Sequence, residues 1–181
     1  MIAPQRLGLT PVRHKGMSKP LQKRNALGIV DMWQRLERLP GGRNLFSFFL
    51  GRTARYTGTI GATVQEMQSG FARVEMRDRP KVRNHLKSIH AIALMNLGEV
   101  TTGLAVLSLV DGQGRGIVSN LEMKYVKKAR GTITGTCHAA VPENPGSHDV
   151  IAEGILKDQQ GDTVAIATAT WKIQIFGEEP T

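Results

Sequence analysis

One carboxylate stands alone in the most apolar part of the chain. From Ser88 to Val110 the sequence reads SIHAIALMNLGEVTTGLAVLSLV, and Glu99 is its only formally charged residue. So apolar a stretch belongs in a core. An ionised carboxyl there loses hydration worth several kcal/mol unless it is protonated, paired or hydrogen-bonded. Glu99 is therefore either a structural side chain tied to backbone or to a neighbouring base, or a site acid, since perturbed acids gather at active sites. The histidines offer a second source of chemistry. His90 stands at the entrance of the apolar segment, where it can bind a ligand or brace the loop. His85, next to Asn84, is either a ligand-facing or an exposed loop residue, His138 and His148 read as surface strand and loop residues, and His14 falls in the N-terminal tail. None has HExxH spacing, no ligand cluster surrounds Cys137, and no metal is expected.

The elements that must position Glu99 can be read from periodicity. Asn25 can cap a helix whose apolar stripe is Ile29, Met32, Trp33 and Leu36, ended by Pro40-Gly41-Gly42. Asn44 then caps a short segment, LFSFFLG, whose Phe46, Phe48 and Phe49 either pack on the core or wall an apolar ligand tail. Strands are expected at 58–67 and 71–77, around the break Gln68-Ser69-Gly70. A loop, RPKVRNHLK, leads into the long helix, which stops at Asp111-Gly112-Gln113-Gly114. Four strands follow at 115–126, 131–141, 148–157 and 163–176. In the last, Ala165, Ala167, Ala169, Trp171, Ile173 and Ile175 alternate onto one face, and the alanines let a helix approach closely. This order predicts an α+β domain: one long central helix wrapped by a mostly antiparallel sheet of about six strands.

Composition narrows the function. The chain has 181 residues and a net charge of +9. Arg6, Arg13, Lys15, Lys19, Lys23 and Arg24 lie in the first 24 residues without an acid, so most of the basicity belongs to a tail. No basic stripe with readout groups is visible, which argues against nucleic acid. The tail has the acid-free composition of a mitochondrial transit peptide, but Pro4, Pro11 and Pro20 break the amphipathic helix such a peptide needs. Met17 is an alternative start. The expected organisation is a mobile basic tail (1–24), a helical extension (25–54) and a main domain (55–177). Asn96, Glu99, Thr101, Thr102 and Ser108 make the long helix a poor membrane span, so no stable membrane insertion is expected. A single Cys137 rules out an internal disulfide, and a cytoplasmic location is expected.

The segment Asn84-His85-Leu86-Lys87-Ser88-Ile89-His90-Ala91, followed by Glu99, resembles the active-site region of hotdog-fold acyl-CoA thioesterases. With LPGGRNLF (39–46) and Met-Lys-Tyr-Val-Lys-Lys-Ala (123–129), residues 29–176 are similar to an uncharacterised, tetramer-forming, DUF4442-like branch of that superfamily. The resemblance implies a hotdog fold, an N-terminal helical extension and thioester hydrolysis, with coenzyme A as part of the substrate and no other cofactor. It also implies self-association as a homodimer or a dimer of dimers.

Roles follow from the same match. The family pattern has an Asn six residues before the His and an acid nine after it, as Asn84 and Glu99 stand to His90. The residue after the His offers its N–H to the thioester oxygen; here that is Ala91, and the usual His-Gly-Gly becomes His90-Ala91-Ile92. Glu99 is then the general base on water, or a nucleophile giving a mixed anhydride, with a pKa expected to be raised by burial. Asn84 holds water or the substrate carbonyl through its amide. A serine used by some relatives on the following strand has no counterpart: Val118 takes its place and Ser119 is one residue off. Lys127, Lys128 and Arg130 are candidates for coenzyme A phosphates or form a solvated turn, with Arg79, Lys81 and Arg83 as weaker candidates. Nine residues of helix turn through about 900°, so His90 and Glu99 point to opposite sides. A two-fold dimer can bring Ala91 and Asn84 of one chain to Glu99 of the other. A non-catalytic acyl-binding module and a hydratase or dehydratase on the same scaffold are the alternatives.

Overall fold

A computed structural model describes residues 28–177. The expected tail and the Asn25 cap lie outside those residues. The chain opens with α1 (Ile29–Leu36), α2 (Gly42–Thr53) and α3 (Arg55–Gly58). The strands β1 (Thr63–Gln68) and β2 (Phe71–Met76) follow, then a 3-10 turn at Pro80–Val82 and the long helix α4 (Ala91–Leu109). Next come β3 (Gly114–Tyr125), β4 (Ile133–His138), β5 (Gly146–Lys157) and β6 (Thr163–Ile175). The six strands form one sheet in the order β1-β2-β4-β5-β6-β3, antiparallel throughout. The sheet packs along α4, which is the hotdog arrangement.

Backbone proximity explains how α4 sits so low on the sheet. The expected row Ala165, Ala167, Ala169, Trp171, Ile173 and Ile175 is buried beneath it. A Cβ on Gly98 would lie 2.5 Å from the Ala167 Cβ, and one on Gly103 would lie 2.8 Å from the Trp171 ring. From the sheet side, a Cβ on Gly135 would meet Thr101 Oγ1 at 2.6 Å. Two hydroxyls pin the helix at this height. Thr102 Oγ1 accepts from Trp171 Nε1 (3.2 Å), and Ser108 Oγ accepts from the Gly70 N–H (3.0 Å). Cys137 is buried on β4, where burial pushes its thiol up to about 11, in keeping with an inert strand residue.

The N-terminal elements depart from expectation in two places. α2 begins at Gly42, ahead of Asn44, because Gly41 adopts a left-handed φ of 74° and Gly42 packs directly on the Leu36 carbonyl. The first strand begins at Thr63 rather than residue 58, because Arg55–Gly58 continues as a helical turn. There the Gly58 and Gly51 backbones touch, with room for no side chain between them. Of the three phenylalanines, only Phe46 enters the core, edge-on to Trp33 at 5.1 Å. Phe48 and Phe49 point outward and are exposed, contrary to packing on the core. The extension is stitched to α4 by Asn96, whose Nδ2 donates to the Tyr56 carbonyl (3.1 Å).

The two sheet edges are treated differently. On β1, the Val64 N–H donates to Ser47 Oγ of α2 (2.9 Å), so the extension covers that edge. On β3, twelve residues long, the outer edge has no neighbouring strand among the described residues. Because α4 rides on bare glycine, Gly98→Val is expected to lower the unfolding free energy by about 1–3 kcal/mol through overpacking against Ala167. Urea titration measures this, and an unchanged midpoint would contradict the close contact.

Candidate active site at the entrance of α4

The entrance is built by the loop from Arg83 to His90. Its neck is an isolated bridge between Arg83 and Ile89. The Ile89 N–H donates to the Ala129 carbonyl (2.9 Å) and the His90 N–H to the Val82 carbonyl (2.8 Å). Inside the loop Asn84 organises the turn. Its Oδ1 accepts from the Leu86 N–H (2.9 Å), the Ser88 N–H (3.3 Å) and the Ser88 hydroxyl (3.2 Å). Its own N–H donates to the Ser88 carbonyl (2.8 Å), and Lys87 takes a left-handed φ of 56° to close the loop. The Asn84 acceptor is thus spent on the loop. Its Nδ2 has no hydrogen-bond partner among the described residues, which leaves a fixed amide donor.

Asp78 supports the loop from below. It accepts from Arg83 Nε (2.6 Å) and from the Gly131 N–H (3.1 Å). The Arg83 hydrogen bond, chiefly, holds its carboxyl below the ordinary value of 3.8 against the opposing effect of burial. Arg83 is therefore occupied in bracing.

A helix start leaves its first N–H groups without intrahelical acceptors, and the helix dipole adds positive character there. His90 caps one of them: its Nδ1 accepts from the Ile92 N–H (3.1 Å). That bond places the ring proton on Nε2 and makes His90 a brace for the entrance. The Ala91 N–H has no acceptor among the described residues. Its carbonyl accepts from the Tyr125 hydroxyl at the end of β3 (3.0 Å). Partial burial raises the Tyr125 phenol above its ordinary value of 10.0. In the sequence Tyr125 was only a landmark. Its signal was a polar aromatic closing a long edge strand of mixed composition.

Glu99 lies eight residues further along α4, about 12 Å along the axis from Ala91. Its rotation is set by its neighbours, since Gly98 faces Ala167 and Met123 while Gly103 faces Trp171. Between those directions, Glu99 shares with Ile92 and Met95 the flank of α4 that leans toward β3. The carboxyl is half-buried in the single chain rather than enclosed, and no hydrogen bond or ion pair engages it among the described residues. Its backbone carbonyl accepts from Thr102 Oγ1 (3.1 Å), which links this turn to Trp171. One chain therefore brings Asn84, His90 and Ala91 together and holds Glu99 apart from them.

The candidate phosphate contacts separate as well. Lys127 Nζ sits between Asp158 (2.8 Å) and Asp162 (2.7 Å), which raise its pKa. Lys128 and Arg130 are exposed and outside any ion pair among the described residues. Ser119 is the bulge residue of β3 and donates to the Thr170 carbonyl (3.1 Å), while Val118 pairs with Trp171 beneath the helix. No group of three His, Cys, Asp or Glu side chains gathers as a metal set among the described residues.

Comparison with known families places the molecule. Residues 42–173, from the start of α2 into β6, match the model of the family described as Domain of unknown function (DUF4442). The chain belongs to the DUF4442 family. Among solved structures, a structural-genomics target is similar to this DUF4442 protein with a TM-score of 0.69 at 23% identity, over 81% of this chain and 98% of its own. A protein of unknown function from Pseudomonas aeruginosa, described as a probable thioesterase, gives a TM-score of 0.64 at 22% identity, over 76% and 97%. A thioesterase family protein from Silicibacter pomeroyi gives 0.61 at 15%, over 71% and 96%. At such identities the likeness establishes the hotdog fold. No curated protein matches the sequence.

The double duty of Asn84 separates loop from chemistry. Asn84→Ala is expected to lower the unfolding free energy by about 1–3 kcal/mol, because it strands the buried Ser88 donors. Asn84→Asp keeps the acceptor and should cost less than half as much. Paired denaturation curves check this, and equal losses would deny that Oδ1 holds the loop.

Proposed function

We propose that this protein hydrolyses the thioester of an acyl-CoA, or of a similar carrier-linked acyl group, in a site completed across a dimer. The observation that carries the reading is the Ala91 N–H at the positive end of α4, without an acceptor among the described residues, at the end of the loop that Asn84 organises. A thioester carbonyl docked there receives hydrogen bonds from this N–H and from the Asn84 amide. Such a donor is worth about 3–4 kcal/mol to the transition state where it has been measured. The partner subunit's Glu99 takes a proton from water as the water attacks the carbonyl carbon. The tetrahedral intermediate then collapses, expels the thiolate and leaves the carboxylic acid. Direct attack by Glu99, giving a mixed anhydride that water then opens, uses the same geometry.

Two further features support the dimer. The long open edge of β3 is a pairing surface, whereas α2 has already covered β1. The flank carrying Glu99 leans toward that open edge, and burial against a partner would complete the enclosure that the single chain lacks. Dimers of dimers extend the same reading. Lys128 and Arg130, with Lys81 as a weaker candidate, are exposed, outside any ion pair among the described residues, and free to meet coenzyme A phosphates. A hydratase would rely on a histidine paired with an acid. Here the Ile92 N–H engages His90 Nδ1 as a helix cap, which ties up the imidazole and favours hydrolysis.

Glu99→Gln is expected to cut release of free thiol from a panel of acyl-CoAs by at least about 100-fold while substrate binding survives. Turnover unchanged in that variant would remove Glu99 from the reaction, and tight binding without release by the unaltered protein would favour a sensing module. A mixing experiment tests the shared site. Glu99→Gln and Asn84→Asp chains, each inactive alone, should recover about a quarter of full activity when dissociated and reassociated in equal amounts, because half the dimers then hold one intact site. No recovery despite proven subunit exchange would place both residues of each site in one chain.

A further inference from the structure

We infer that the outward face of α2 and α3 is a docking surface for an anionic phospholipid bilayer. The inference is independent of the thioesterase reading. α2 is apolar on two sides. Phe46 faces the core with Leu50 beside it, while Leu45, Phe48 and Phe49 face outward, Phe48 with 62% of its surface exposed. With Arg52 the outward three fall at i, i+3, i+4 and i+7, a continuous stripe on one side of the helix. Tyr56 of α3, 66% exposed, and Arg55 extend the patch. A helix apolar all round is ordinarily enclosed. Here α1 and β1 cover one side, and among the described residues nothing covers the other.

Charge decides what fits. Between Glu37 and Glu66 the chain carries Arg38, Arg43, Arg52 and Arg55 and no acid. Arg52 and Arg55 take part in no ion pair among the described residues. A two-fold contact between copies through this face would set these arginines against their own images, with no carboxylate from the stretch to separate them. An anionic headgroup layer offers the complement: phosphates for the guanidinium forks and acyl tails for the phenylalanines. The face also frames a cavity. Phe48, Arg52 and Arg55 line a cleft of about 780 Å³ between α2, α3 and β1, whose apolar walls include Val64, Val74 and Val100. Docking through the stripe would place the cleft mouth at headgroup level.

The test is co-sedimentation of the full chain with phosphatidylcholine vesicles, with and without phosphatidylglycerol. Binding should require the anionic lipid and weaken with salt. Phe48→Ser/Phe49→Ser and Arg52→Glu/Arg55→Glu should each lower the vesicle partition coefficient at least about tenfold. Both pairs are exposed, so the unfolding midpoint should hold. Both variants keep the basic N-terminal tail, so binding that survives in them unchanged assigns the attraction to the tail and overturns the inference. A Phe48→Trp reporter should shift its emission to the blue on anionic vesicles, because Trp33 and Trp171 are buried and silent. No shift, no vesicle binding by the unaltered chain, or dissociation of an oligomer by the serine pair would each overturn it, the last by making the face a contact between copies.

Discussion

The close approach of α4 to its sheet is the constraint on which the rest depends. Gly98 rests on Ala167, Gly103 on the Trp171 ring, Thr101 over Gly135 and Thr102 against Gly154, each too near for an added methyl group without displacement. Close-packed interiors tolerate little such displacement, so these contacts fix both the height and the rotation of the helix. Rotation determines that Glu99 emerges on the β3 flank. Height and axial position determine that Ala91 emerges where the Arg83–His90 loop can frame it. The Trp171–Thr102 hydrogen bond adds direction, because it ties the turn that carries Glu99 to the middle of β6. Chemistry at the helix entrance is thus positioned by residues that have none of their own.

Satisfied and unsatisfied groups are divided sharply around that entrance. The loop turns several of its polar groups on itself: the Asn84 oxygen on Leu86 and Ser88, Arg83 on Asp78, His90 Nδ1 on Ile92. Among the groups left over are the Ala91 N–H, the Asn84 NH₂ and, on the neighbouring flank, the Glu99 carboxylate. Residual groups held by a hydrogen-bonded frame are preorganised, and donors that need not turn toward a developing oxyanion stabilise it most. The unequal sheet edges fit the same logic. A serine of α2 quiets β1, while β3 keeps twelve residues of pairing capacity beside Glu99. An enclosure that one chain leaves half-made is completed by pairing at the edge next to it.

Much of this was legible in the residues, and the failures share a cause. The succession of strands along the chain and the alanine face of β6 followed from period-2 alternation and glycine-rich breaks, and the central helix from its long apolar run, because those signals are set by the local sequence. The segment before Ala91 was legible as a loop leading into the long helix. Three things were hidden. Asn84 serves the loop through its oxygen, which only the folded turn reveals. Lys127 is neutralised by Asp158 and Asp162, more than thirty residues away in sequence. Tyr125 reaches Ala91 across the end of the sheet. Each depends on contacts between distant segments, which spacing does not encode. The start of α2 was misplaced for a local reason: glycine at 41 and 42 outranked the Asn44 cap, because only glycine tolerates that φ and that contact with Leu36.

Two helices show how far pattern alone can go. α4 is apolar around its circumference and α2 carries apolar residues on two of its sides, so periodicity assigns neither a single inside. Topology then separates them. α4 is approached by the whole sheet, and most of its side chains are buried. Among the described residues α2 packs chiefly on α1, α3 and β1, so Phe46 finds Trp33 while Phe48 and Phe49 meet each other and stay exposed. The same composition is thus a core in one place and an uncovered surface in the other. Leaving two adjacent phenylalanines in water sacrifices burial worth about 1.5–3 kcal/mol for each. In a small domain that is a large fraction of the net stability, which makes an external occupant of this face the physically economical solution.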